Sequence, residues 1–233
     1  MIRRILILLA LAWLLPAAVQ AQAQPKEEGI ESEGYTWNEA KGEKIEALEL
    51  TGDAENGEEI FEICSACHLP NGAGRPDGTF PQLAGQHSTV LIKQMADIRM
   101  GLRDNPIMYP FAKSMTDSQE LADVSAYIET LPIPGDNGRG SGEHLDEGKK
   151  LYDANCVECH GNFGEGEKEK FYPVLAGQHY KYMLRQVTDI RDGRRRNANP
   201  DMVTIVKKYT DAELDAVVDY MSRLEWPERQ GGN

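Results

Sequence analysis

Two short segments, each with a pair of cysteines followed directly by a histidine, constrain this chain more than any other feature. On a helix, positions i, i+3 and i+4 share one face, so two thiols and one imidazole project together from a single turn. This spacing is typical of covalent haem c attachment, in which each thiol adds to a vinyl group and the imidazole binds iron. The segments are Cys64-Ser65-Ala66-Cys67-His68 and Cys156-Val157-Glu158-Cys159-His160.

The two motifs belong to an internal repeat of about 92 residues. Only two copies exist and each has the size of a domain, which indicates a duplicated domain and not a solenoid. We predict a first domain over residues 53–131, a Gly- and Pro-rich linker over 132–145, a second domain over 146–226 and a tail over 227–233. The matched segments are 56–61 with 147–152, 81–87 with 173–179, 94–99 with 186–191, and 105–108 with 199–202.

Each copy is predicted to be α-helical, with one helix carrying the haem motif and two more after it. Apolar residues recur at helical spacing in the second and third helices of both copies. A capping box is expected at the start of each third helix, at Thr116 and at Thr210. Three short helices make a thin core, so a haem enclosed by each copy would supply the missing apolar mass.

The amino-terminal residues have the pattern of a secretory signal. Residues 1–21 contain Arg3 and Arg4, an apolar run and small residues before the expected cleavage point after Ala21. The apolar run is shorter than the roughly 20 residues needed to span a bilayer, which favours cleavage over a retained anchor. We therefore expect export to the periplasm.

Residues 22–52 form an acidic extension whose composition predicts disorder or loose packing. Tyr35 and Trp37 stand out in it. They are expected to attach the extension to the globular part, with contact to a partner as the alternative. Its composition leaves peripheral association with a membrane open.

The charge of the chain excludes some functions. The formal net charge is −13, and cleavage of the signal would remove two arginines and make it −15. Such a chain is repelled by nucleic acid and attracted to basic partners. The first domain has 5 basic and 12 acidic residues and the second has 13 and 15, which predicts asymmetry between them. The basic run Arg194-Arg195-Arg196 is expected to be solvated surface, with a docking or haem-propionate contact as the alternative.

The four cysteines allow two other readings. An exported protein normally uses cysteines in disulfides, but here all four lie in the two motifs. Two Cys-x-x-Cys pairs also suit a zinc site. A zinc site explains neither the histidine after each pair nor the rest of the repeat.

Each iron needs a second axial ligand besides His68 or His160. Met108 and Met202 occupy equivalent positions in the repeat, on a Pro-containing segment about 40 residues after the histidine, and no other methionine pair does. A lone methionine is usually core filler, but two in register favour ligation. The competing candidates are His87 and His179, which follow Gln86 and Gln178; these Gln-His pairs are expected to meet the haem edge or a propionate instead.

A His/Met ligand set favours electron transfer. It raises the haem potential and leaves no coordination position open for a substrate. The carbonyl groups of Pro81 and Pro173 are candidates to accept the Nδ1 proton of the two histidine ligands, a contact that orients the imidazole.

With paired Cys-x-x-Cys-His motifs, a Pro-x-Leu-Ala-Gly-Gln segment and an Asn-Pro-x-Met segment in each half, the chain resembles the dihaem cytochrome c4 family over residues 53–226. The resemblance implies an all-α fold of two tandem class I cytochrome c domains, with two haem c groups close together. It also implies periplasmic electron transfer between a donor, such as a quinol-oxidising complex, and a terminal oxidase or reductase. The implied haem attachment residues are Cys64, Cys67, Cys156 and Cys159, and the implied iron ligands are His68, Met108, His160 and Met202.

Two other functions stay open at this point. A dihaem enzyme, such as a peroxidase or thiosulfate dehydrogenase, would need one haem with a displaceable ligand or a further reactive group. Both halves offer the same methionine, and no spare cysteine exists. A fixed electron-transfer subunit of a larger complex would fit the additional amino-terminal segment.

Overall fold

The computed structural model of the protein describes residues 23–39, 41–115 and 117–229. This part of the chain is helical, with an isolated bridge between Glu167 and Tyr172 and without any longer strand, so the predicted all-α class is confirmed. The predicted signal, residues 1–21, lies outside the described residues. The helices are α1 (Glu43–Glu49), α2 (Ala54–His68), α3 (Ser88–Met100), α4 (Tyr109–Ser114), α5 (Ser118–Thr130), α6 (Leu145–Asn155), α7 (Val157–His160), α8 (Tyr180–Arg191), α9 (Pro200–Val206) and α10 (Asp211–Met221).

Each domain is built on a close crossing of its first and last helices, α2 with α5 and α6 with α10. A glycine lies at each crossing. A Cβ atom on Gly57 would come within 2.1 Å of the Asp123 carbonyl oxygen, and one on Gly148 within 2.0 Å of the Ala216 oxygen. The backbones therefore approach at distances that only glycine permits, which explains the glycine at equivalent positions of the repeat.

The prediction of three helices per copy was incomplete. Each copy has a further short helix, α4 after α3 in the first domain and α9 after α8 in the second. Met108 is the N-cap of α4, and Met202 lies within α9. Pro110 and Pro200 lie in the first turns, where a missing N–H is tolerated. In the second copy the haem-motif helix is interrupted at Cys156, between α6 and α7.

The two capping predictions had different outcomes. Thr210 caps α10 in a reciprocal capping box with Glu213. Thr116 lies outside the described residues, and α5 is instead capped by Asp117, whose carboxylate accepts a hydrogen bond from the N–H of Gln119. The cap of α5 thus lies one residue later than predicted. Asp is at least as good an N-cap residue as Thr.

Parts of the acidic extension pack against both domains, although most of residues 23–39 are exposed or half-buried. Ala47 of α1 is buried against Ile92 and Leu121 of the first domain. Trp37 stacks on Tyr172 of the second domain at 6.2 Å, while the Lys93 ammonium of the first domain lies 5.2 Å from its ring centre. Trp37 thus attaches the extension to both domains, which is the role that the sequence predicted for it. None of the helices in the described ranges has the length and apolarity to cross a membrane.

The linker follows the surface of the second domain. Ile133 is buried, and its N–H donates to the Arg229 carbonyl at 2.8 Å. The Asn137 side chain donates to the carbonyl oxygens of Gln178 and Ser222. These bonds replace the backbone pairing that a helix would have supplied.

Glu129, at the end of α5, joins the two domains. Its carboxylate lies 2.7 Å from the Lys168 ammonium of the second domain and 3.7 Å from His87 Nδ1. Burial alone would raise the pKa of Glu129, but its interactions with His87, Lys168 and Ser88 outweigh burial and lower that pKa from 4.5 to about 2. A depressed carboxyl pKa stabilises the folded state above the unfolded-state pKa, and this contribution is lost as the pH falls.

We expect Glu129→Gln to lower the free energy of unfolding by about 1–2 kcal/mol at pH 7, after allowing for solvent screening. The difference from the unsubstituted protein should shrink as the pH falls from 4.5 towards about 2, because the native carboxylate then also becomes protonated. Urea unfolding over a pH series measures this. Glu225→Gln, which removes an exposed 3.5 Å pair with Arg139, is the control and should change little at any pH. A constant deficit down to pH 2 would contradict the prediction.

Candidate functional site

A cavity of about 1080 Å³ lies between the two domains. Its volume exceeds the roughly 300–1,000 Å³ of a typical small-molecule site. Apolar side chains from both halves form most of its wall, so large flat apolar groups would be shielded from water. Seven of the eight predicted attachment and ligand residues line it: Cys64, His68, Met108, Cys156, Cys159, His160 and Met202.

The two predicted histidine ligands are held in the same way. His68 Nδ1 lies 2.9 Å from the carbonyl oxygen of Pro81, and His160 Nδ1 lies 3.2 Å from that of Pro173. A carbonyl can only accept, so Nδ1 carries the proton and Nε2 keeps its lone pair for a metal. Burial lowers the pKa of both imidazoles, against the smaller opposing effect of these hydrogen bonds. Both rings are therefore neutral at pH 7, as ligation requires.

The four cysteines form no disulfide and have intermediate exposure, so each sulfur is available for a thioether bond. Burial raises the pKa of Cys64 to about 11 and that of Cys156 to about 12.

The donors in each half suit one haem c. Each half offers two thiols for thioether bonds, one oriented imidazole and one thioether sulfur, and the apolar cavity wall suits the porphyrin. This ligand chemistry matches a His/Met haem. Cys67 is the one predicted attachment residue that does not line the cavity.

Two arginines, Arg103 and Arg195, give the cavity a positive wall, and the sequence indicated only Arg195, through the alternative propionate contact of the arginine run. Arg103 Nη1 and Nη2 lie 2.9 and 3.0 Å from the amide oxygens of Gln94 and Gln186, and Arg195 bonds to the same two oxygens at 3.1 and 3.2 Å. Neither guanidinium forms an ion pair with a carboxylate within the described ranges. Burial, together with the nearby charge of Arg103, lowers the pKa of Arg195 to about 10. Such a pair suits the propionates of two haems.

The register of the repeat could have identified these four residues. Gln94 and Gln186 are 92 residues apart, and so are Arg103 and Arg195. The arginine run, expected as solvated surface, divides into three environments. Arg194 is exposed and pairs with Asp189 and Asp192. All three arginines border the cavity; Arg195 bonds to Gln94 and Gln186, and Arg196 pairs with Asp104 of the first domain.

The two histidines of the Gln-His pairs donate hydrogen bonds across the domain interface. His87 Nε2 donates to the carbonyl of Glu165, and His179 Nε2 donates to that of Ala73, both at 2.8 Å and both across the domain interface. Neither imidazole lines the cavity, so neither the competing ligand role nor a propionate contact is supported. The pairs lie directly before α3 and α8, at the ends that face the opposite domain.

Gln86 and Gln178 also cross the interface. The Gln86 side chain pairs with the backbone of Val174, and the Gln178 side chain pairs with the backbone of Gln82. Both amides also line the cavity.

Comparison with known proteins places this architecture among c-type cytochromes. The cytochrome c family profile matches residues 54–132 and 145–225. The chain is 35% identical to cytochrome c4 of Azotobacter vinelandii over 74% of its own length and 90% of the relative, and 32% identical to a thiosulfate dehydrogenase electron acceptor of Stutzerimonas stutzeri over 76% and 90%. The crystal structure of reduced recombinant cytochrome c4 from Pseudomonas stutzeri superposes with a TM-score of 0.67 at 30% identity, covering 75% of this chain and all of that one. A thiosulfate dehydrogenase from Marichromatium purpuratum gives 0.64 at 29% identity, covering 72% of this chain and 39% of that one.

Proposed function

We propose that this chain, which belongs to the dihaem cytochrome c4 family, carries single electrons between respiratory redox partners in the periplasm. Its cofactors are two haem c groups. One observation carries the proposal: both halves present an oriented histidine and an in-register methionine to one shared cavity. Two equally ligated irons suit transfer of electrons and leave neither half equipped to bind a substrate.

The residues of the chain would act as follows. The four cysteines would anchor the two haems through thioether bonds, and His68 with Met108 and His160 with Met202 would bind the two irons. Each bound haem supplies a one-electron iron couple. The hydrogen bonds that His68 and His160 donate to the carbonyl groups of Pro81 and Pro173 keep the imidazoles in one orientation, which limits reorganisation when the charge on the iron changes.

The shared cavity supports a path between the two haems within one chain. Because both donor sets face the same space, an electron that enters at one domain need not leave the protein to reach the other. One domain would then meet the donor and the other the acceptor. The greater negative charge of the first domain favours a basic docking face on the partner of that domain.

The proposed donor is a quinol-oxidising complex, and the proposed acceptor is a terminal oxidase or reductase. Location in the periplasm is supported by the signal-like residues 1–21. Nucleic acid is not an expected partner of a chain with net charge −13.

An absorption spectrum of the oxidised protein with a redox titration tests the proposal. We expect the weak far-red band of methionine bound to ferric haem at the intensity of two haems, and two one-electron steps. Intensity for a single haem, together with a high-spin signal, would contradict the carrier assignment, because one iron would then have an open position.

A second candidate is the role of electron acceptor for a thiosulfate-oxidising enzyme. It is favoured by the 32% identity to a protein of that name and by the likeness to a thiosulfate dehydrogenase structure. In this role the oxidised protein should stay oxidised with thiosulfate alone and become reduced only when a thiosulfate dehydrogenase is added. Reduction by thiosulfate alone would instead indicate that the chain is itself the enzyme.

A further inference from the structure

Four hydrogen bonds pair one glutamine side chain of each domain with the backbone of the other. Gln178 Oε1 accepts from the N–H of Gln82 at 3.0 Å, and Gln178 Nε2 donates to the Gln82 carbonyl at 2.9 Å. Gln86 Oε1 accepts from the N–H of Val174 at 2.9 Å, and Gln86 Nε2 donates to the Val174 carbonyl at 3.0 Å. Gln82 and Val174 are equivalent in the repeat, so the arrangement is reciprocal.

The N–H groups held by these glutamines belong to peptide groups that also bind the histidine ligands. The peptide between Pro81 and Gln82 donates its N–H to Gln178, and its carbonyl accepts the proton of His68 Nδ1 at 2.9 Å. The peptide between Pro173 and Val174 does the same for Gln86 and His160, at 3.2 Å to the imidazole. Each histidine ligand is therefore linked by one peptide to a side chain of the opposite domain.

A peptide transmits polarisation between its two ends. Its C–N bond has partial double-bond character, so an acceptor on the N–H side increases the negative charge on the carbonyl oxygen. Chains of hydrogen bonds strengthen one another in this way, and the effect is larger where water is excluded. Gln82 and Gln178 are both buried. A more negative Pro81 oxygen draws the Nδ1 proton away from the His68 ring and makes that imidazole a stronger donor to iron.

We propose that Gln178 and Gln86 are positioning residues, each tuning the haem of the opposite domain through the peptide that holds the histidine ligand of that domain. The inference deepens the proposed function, since it takes the bond between histidine and iron as given. The consequence is that the reduction potential of each haem depends on correct docking of the two domains. An isolated half would have a weaker histidine donor and a higher potential.

The test uses the full-length dihaem protein with Gln178→Met, which keeps the side-chain length and removes both hydrogen bonds. Exchange of the Nδ1 proton of each histidine ligand is followed by NMR, with the two haems assigned from Met108→Ala and Met202→Ala. We expect exchange at His68 to accelerate about fivefold, as for loss of one ordinary hydrogen bond, with little change at His160. The reduction equilibrium of the His68 haem should shift about twofold towards the reduced state, about 20 mV for a one-electron couple.

Gln86→Met is the reciprocal variant, and its effect should fall on His160. That effect should be smaller, because the contact between His160 and Pro173 is the longer one. His179→Phe is the matched control, since it removes an interdomain hydrogen bond that does not involve either peptide. It should leave the exchange at His68 within twofold of the unsubstituted protein.

Four results would each overturn the inference. They are equal acceleration at both histidines, acceleration only at the histidine of the substituted domain, no acceleration, and an equal effect of His179→Phe. Failure of the proposed function is recognised separately. If the unsubstituted protein lacks the spectrum of two methionine-ligated haems, the carrier assignment fails. The pattern of Nδ1 exchange across the domains still decides the role of the glutamines.

Discussion

Replacing Met108 or Met202 with alanine is expected to halve the far-red band and to convert one of the two haems to a high-spin, five-coordinate or water-ligated form. Each variant removes the thioether that we assign to one iron. The potential of the affected haem should fall by on the order of 0.1 V, within the roughly 0.8 V spanned by haem axial ligands. Absorption spectroscopy and redox titration measure the two effects, and the second haem should keep its spectrum.

Met115→Leu is the control for these variants. Met115 also lines the cavity, but its counterpart in the second copy is Tyr209, so the repeat does not support a ligand role. The control should retain the full far-red band. If Met115→Leu lost half of the band and Met108→Ala did not, the ligand assignment in the first domain would be wrong.

Asp97→Ala is expected to lower the free energy of unfolding by about 3–5 kcal/mol, as for a broken buried ion pair. Asp97 lies 2.8 Å from the Lys44 ammonium of the extension and 2.5 Å from that of Lys93, and all three side chains are almost fully buried. Its carboxylate also accepts from the Asn197 side chain of the second domain at 2.8 Å. Without Asp97, two buried ammonium groups lose their counter-charge. Urea unfolding at pH 7 measures the loss.

The chain supplies a matched control for this prediction. Lys149 and Asp153 have the same i,i+4 spacing and the same 2.5 Å separation as Lys93 and Asp97, but both side chains are more than half exposed. Asp153→Ala should therefore cost less than about 1 kcal/mol, the usual range for an exposed pair. Equal losses in the two variants would show that burial of Asp97 does not determine its contribution.

Burial also affects the lysine partner of Asp97. It lowers the pKa of Lys93 to about 8, although the adjacent carboxylate opposes this shift. The extension, the first domain and the second domain thus meet at one charged cluster.

The sequence alone predicted the donor sets and determined the class of fold. Local spacing places two thiols and an imidazole on one helical face, and the register of the repeat, with a two-residue insertion in the second copy, selects Met108 and Met202 from eight methionines. Both inferences depend on relations within one copy or between equivalent positions of two copies. Those relations are visible in a linear chain.

Tertiary structure decided everything that depends on how the two copies and the extension are docked. A repeat shows that Gln86 and Gln178 are equivalent, but it contains no information on the face that each domain turns towards the other. The contacts of the extension were missed for a similar reason, since Lys44 and Trp37 are stabilised by Asp97 and Tyr172, which lie far away in sequence. Composition measures the average tendency of a segment to bury apolar surface. It does not report a buried ion pair or a ring stack formed with distant residues.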